Sequence, residues 1–132
     1  MKWGNRIEKW RYENTEKKFR VEVTKAYYES DNKDFEKKIY WTKYLYLYPG
    51  HKDFGKYRPK KGETYPDTPW DWNYGITYYH ESFDKKRTML YQCFGDDYVH
   101  HWDIVDHAPL GETGERVFWD AERLINILEE EN

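Results

Sequence analysis

The chain has 132 residues and a mass of 16.4 kDa, a length at which one core closes without disulfides, so a single globular domain over residues 1–132 is expected. Aliphatic residues are sparse, but 20 % of the chain is Phe, Trp or Tyr, and each ring can bury roughly 150–250 Å², which excludes a disordered chain and points to a core built from rings. Twenty-two Lys and Arg face 25 Asp and Glu for a net charge of −3, which excludes a global field for a polyanion or an anionic membrane and makes any phosphate recognition local.

In chain order, Arg6 to Tyr12 is a first strand candidate, and Glu13 to Lys17 closes a hairpin onto the next strand. Phe19, Val21 and Val23 then alternate with Arg20, Glu22 and Thr24, a half-buried strand running on through Ala26, Tyr27 and Tyr28. A polar turn at Ser30 to Asp34 leads to the clearest strand, Lys38 to Tyr48. There Tyr40, Thr42, Tyr44, Tyr46 and Tyr48 share one face, while Trp41, Lys43, Leu45 and Leu47 share the other. If a helix covers the Trp41/Leu45/Leu47 face, the tyrosines lie open as a recognition platform; the opposite assignment buries them, and a tyrosine hydroxyl tolerates both.

The loop of about 49–75 fits no strand; from Pro49 to Tyr74 it holds four of the five prolines and three glycines, Gly50, Gly55 and Gly62. Ordered loops of this length inside a domain are uncommon and usually functional. Further strands are expected at Gly75 to His80, Thr88 to Phe94 and Tyr98 to Val105, with turns at Phe83 to Arg87 and at Gly95-Asp96-Asp97. Val117, Ala121, Leu124, Ile125 and Leu128 recur at helical spacing. The helix cap falls at Thr113 or Asp120, with Glu115 to Trp119 as an alternative short strand, and Glu129 to Glu131 sit at the unfavourable end of the dipole as a solvated tail. The fold class that follows is α+β: an antiparallel meander of five to six strands packed against one C-terminal α-helix, with a long Pro/Gly/aromatic loop between the strand groups.

Several chemistries have partial signatures. Gly50 to Tyr57 reads G-x-x-x-x-G-K-Y, but a phosphate-binding loop needs Ser or Thr where Tyr57 stands and a helix where Arg58-Pro59 follows. His101, Asp103 and His107 share one face of a strand and form a candidate metal set within a His100–His107 cluster. Positions i and i+6 on a strand lie roughly 20 Å apart, however, so the chain would have to bend. Cys93, the single cysteine, alternates with Met89 and Tyr91 as a small core residue, and no cofactor is expected.

The strongest signal is the loop. Arg58, Lys60 and Lys61 are followed by Tyr65, Trp70, Trp72 and Tyr74, and Trp, Tyr and Arg dominate binding hot spots. Against that, Trp70-Asp71-Trp72 could fold back and cap the sheet, Trp72 more readily than Trp70, which follows Pro69 and reads as a loop tip. The first expectation is a small non-enzymatic protein that occludes a surface on a protein partner, in the style of anti-defence inhibitors and immunity proteins. A second is a nucleotide- or oligonucleotide-binding module, with Arg58, Lys60 and Lys61 on phosphate and Trp70, Trp72 or the tyrosine face on the base. A third is a metal-dependent enzyme using the histidine cluster. A concave basic-aromatic pocket would favour a small ligand, and a flat aromatic patch a protein. One cysteine, no N-x-[ST] sequon, no signal-peptide pattern and no apolar run of about 20 residues together give a cytoplasmic expectation with no membrane partner.

Overall fold

The structure is a computed structural model and describes residues 2–29, 38–98 and 114–130. Five antiparallel strands form one sheet: β1 (Lys2–Asn14), β2 (Phe19–Glu29), β3 (Lys38–Leu47), β4 (Tyr78–Phe83) and β5 (Met89–Asp97). Among the described residues one helix, α1 (Glu115–Glu130), follows. This is the α+β arrangement that the alternation and the change of period imply. Among the described residues no helix is long and apolar enough to cross a membrane.

Strand order is β1-β2-β3-β5-β4, so the segment after β3 does not lead to a neighbour; it passes over the position of β5 to an edge. Residue character accounts for the exchange. β5 offers Gln92, Phe94 and Asp96 to one face and Cys93 and Gly95 to the other, and residues 92–96 are all buried. β4, with His80, Glu81 and Ser82 and a register shift at Ser82/Phe83, suits an exposed edge. The β4–β5 turn forms around Asp84, whose Oδ1 accepts the Lys86 and Thr88 N–H at 2.8 and 2.9 Å. In the β1–β2 hairpin, Asn14 Oδ1 accepts the Lys17 N–H at 2.9 Å.

Gly95-Asp96-Asp97, expected as a turn, is instead the end of β5, paired with Tyr44, Lys43 and Thr42. Turn propensity loses here to cross-strand packing. The ring of Tyr44 lies on Gly95 so closely that a Cβ there would stand 2.6 Å from it, and the Asp96 carboxylate is held by Lys43. The helix begins at Glu115, with the Phe118 N–H on the Gly114 carbonyl at 3.1 Å. Asp120 is therefore inside the helix and caps nothing; Thr113 lies outside the described residues. Gly114 has φ +58° beneath the Trp41 ring, where a Cβ would come within 2.5 Å, so this start needs glycine.

The helix settles the question of faces. Val117, Ala121, Leu124 and Leu128 are buried against Phe19, Val21, Val23, Trp41, Leu45, Leu47 and Phe94. Each buried Val, Leu or Phe among them contributes roughly 1.5–3 kcal/mol by leaving water. Trp10 stacks on Trp41 at 5.8 Å, and Phe118 meets both rings edge-on, so rings do close the aliphatic-poor core. Glu129 is not a solvated tail residue: its carboxylate accepts from Tyr12 and from Asn14 Nδ2, fastening the helix end to the β1–β2 hairpin.

Candidate binding surfaces on the two faces of the sheet

The loop after β3 is fastened to the helix-covered face. Gln92, fully buried in β5, accepts the Gly55 N–H at 2.7 Å and donates to the Tyr57 carbonyl at 3.1 Å and to the Tyr79 hydroxyl at 2.8 Å. One strand side chain thus satisfies two loop backbone groups that would otherwise be orphaned. The Gly55 amide, which a phosphate cradle would need, is spent on Gln92, and residues 50–57 form turns rather than a helix.

The loop residues singled out by sequence have different fates. Arg58 is exposed but forms a bidentate pair with Glu81 at 2.7 and 2.8 Å; Arg58 in turn holds the Glu81 carboxyl below its usual range. Lys60 reaches Asp67 at 3.8 Å with both side chains largely in solvent, Lys61 is exposed, and so is Tyr65. The three basic residues do not converge with the tryptophans. Trp70 is not a loop tip: at 4 % exposure it packs edge-on against Tyr57 at 5.3 Å and Phe94 at 5.7 Å. Trp72 is half-buried, its indole N–H on Thr68 Oγ1 at 2.8 Å, and Tyr74 is exposed. His101, Asp103 and His107 lie outside the described residues, and among the described residues no group of three or more His, Cys, Asp or Glu could hold a metal.

Trp72 and Tyr74 form one wall of a cleft of about 390 Å³ whose other wall is α1, through Arg116, Asp120 and Arg123. Lys43 of β3 is its floor. Behind it lies a buried polar chain. Lys43 Nζ is 3.2 Å from Asp96, and Asp96 also accepts the Asn73 N–H at 2.7 Å. The Tyr98 hydroxyl donates to Asp120 at 2.6 Å, and Arg116 Nε reaches Asp120 at 3.3 Å. Burial pushes the Asp96 carboxyl up to about 6, outweighing the attraction of Lys43 and the Asn73 amide. Reading the sequence missed Lys43, Asp96, Tyr98, Arg116, Asp120 and Arg123 as a group. One signal was present: Lys43 interrupts the otherwise apolar Trp41/Leu45/Leu47 face.

The other face of the sheet has no described element over it, and here the tyrosines gather. Tyr44 meets Tyr78 edge-on at 5.6 Å, Tyr46 meets Tyr91 at 5.5 Å, and Tyr48 meets Tyr91 at 6.4 Å. His80 lies between Tyr78 and Tyr91 at 6.5 and 6.1 Å. Arg20 lies over the Tyr46 ring at 4.2 Å. Partial burial raises the Tyr44, Tyr46, Tyr48 and Tyr78 hydroxyls above their ordinary range, so they stay neutral donors. Beneath them Cys93 is buried and its thiol pushed up to about 12 by that burial, which keeps it from acting as a thiolate. Beside the tyrosines Glu22, only 3 % exposed, is shared by Arg11 at 3.1 Å, Arg20 at 3.7 Å and Lys9 at 3.9 Å.

Comparison with known protein families, curated proteins and solved structures finds no match.

Proposed function

We propose that this is a non-enzymatic binding protein that occludes a surface of another protein through the tyrosine face of its sheet. The observation that carries the reading is the interlocked cluster of Tyr44, Tyr46, Tyr48, Tyr78, His80 and Tyr91 with Arg20 laid on it. Tyrosine supplies rigid contact area at low entropic cost together with a hydroxyl donor, and Tyr with Arg is the composition of binding hot spots. Neighbouring rings hold one another at interplanar angles of 57 to 80° in the Tyr44–Tyr78, Tyr46–Tyr91 and His80–Tyr91 pairs. They present edges and hydroxyls rather than a row of free ring faces, which suits a protein better than stacked bases. The charges of this face balance: Lys9, Arg11 and Arg20 share Glu22, with Glu13 cross-strand from Arg20 and Asp97 cross-strand from Thr42, so contact area and hydroxyl donors rather than a net field would bind the partner.

The test is quantitative affinity capture from cells that naturally express the protein, with mass spectrometry. Wild type is compared with Tyr78→Ser/His80→Ser, two exposed edge positions, and with Tyr74→Ser on the opposite face. The reading expects one stoichiometric protein partner, retained by Tyr74→Ser and lost by the double variant. Retention by the double variant, or no stoichiometric protein at low salt, overturns it.

A further inference from the structure

The cleft on the helix side faces away from the tyrosine cluster and carries an inference of its own. It is a built concavity, at the lower end of the roughly 300–1,000 Å³ range of small-ligand pockets. Its walls are held from behind: Trp72 by Thr68, Asn73 by Asp96, and Asn73 Nδ2 by the Asp97 carbonyl at 3.0 Å. At its base Lys43 and Asp96 are both about 1 % exposed, and Asp96 Oδ1 has no hydrogen-bond partner.

Accounting for the charges identifies which of them remain for a ligand. Asp96 compensates Lys43, and Asp120 compensates Arg116. Arg123 lies over the Trp119 ring at 4.8 Å and has no carboxylate partner among the described residues. Asp71, exposed on the opposite wall, has no cationic partner among them either. The cleft therefore presents an unspent guanidinium on one wall, an unspent carboxylate on the other, and the Trp72 indole and Tyr74 ring alongside. A ligand complementary to this has an anionic group at one end, a flat ring system, and a donor edge at the other.

We propose that the cleft binds a guanine mononucleotide, its phosphate on Arg123, its base along Trp72, and the base N–H and amino groups donating to the Asp71 carboxylate. Guanine is the base that matches a carboxylate, because its ring N–H and exocyclic amine form two parallel donors that the two carboxylate oxygens accept together. Adenine and uracil do not offer that pair. The site is independent of the tyrosine face, so each reading can fail without the other.

Isothermal titration of the full chain at low salt with GMP, AMP, guanosine and inorganic phosphate tests the inference. GMP should saturate one site and bind more tightly than the other three. Arg123→Gln should weaken GMP about tenfold or more, the loss of a charge-assisted contact. Asp71→Asn should do likewise and erase the preference over AMP. Both positions are exposed, and melting temperatures verify that the fold is intact. Tyr78→Ser/His80→Ser should bind GMP as wild type does. No saturation in the millimolar range, equal binding of GMP with AMP or with phosphate, or variants that bind unchanged would each overturn the proposal.

Discussion

Replacing Gln92 by Leu tests whether the long loop is an integral part of the fold. The two side chains are of similar size, so the substitution leaves little cavity but removes three hydrogen bonds at a fully buried position: one from Gly55, one to Tyr57 and one to Tyr79. Each such bond contributes about 0.5–1.5 kcal/mol net, and a partner stranded away from water costs about 1–3 kcal/mol. Three together give a loss of about 3 kcal/mol, a large share of the roughly 5–15 kcal/mol that holds a domain of this size. In a chain of 132 residues the melting temperature should fall by about 10–15 °C. Urea unfolding followed by tryptophan fluorescence reads the free energy directly, and the slope with denaturant should stay at the wild-type value, because the surface exposed on unfolding is unchanged. Tyr79→Phe, which removes the Gln92 bond and the one from Tyr79 to Glu81, should cost about half as much. A loss below about 1 kcal/mol for Gln92→Leu, or an equal loss for both variants, would refute the view that one glutamine clamps the loop.

Two further predictions separate core from surface and locate a buried titration. Trp70→Ala should cost about 3–5 kcal/mol, as expected for a buried indole packed on two rings, whereas Tyr74→Ala should stay within about 0.5 kcal/mol; similar losses in thermal unfolding would overturn the assignment of these residues to opposite sides of the boundary. The Asp96 carboxyl should titrate by carbon-detected NMR with a midpoint of about 6. Because that lies above the ordinary 3.8, the group contributes stability below about pH 3.8 that is lost as the pH rises through about 6, and a midpoint near 4 would show that Lys43 outweighs burial.

Periodicity alone determined the elements that local physics controls. Alternation in 19–28 and 38–48, the polar turn after Phe83 and the 3.6-residue spacing of Val117, Ala121, Leu124 and Leu128 all correspond to observed strands, turn and helix, because pleat and helical pitch act on every residue regardless of its distant neighbours. Long-range pairing decided the rest. Gly95, Asp96 and Asp97 have the composition of a turn, and only Tyr44 and Lys43 on the neighbouring strand make them strand. Trp70 and Trp72 are chemically alike; Phe94 and Tyr57 bury one, while the other is left beside a cleft. The loop cations read as a phosphate cluster, but Arg58 is drawn to Glu81, a partner 23 positions away. The cleft itself joins Lys43, residues 71–74 and Arg116 to Arg123, three segments far apart in the chain. Local pattern carries no information about which side chains meet across such distances. That is set by the strand order and by which face of the sheet the helix covers, and it is why no described element lies over the tyrosines of β3.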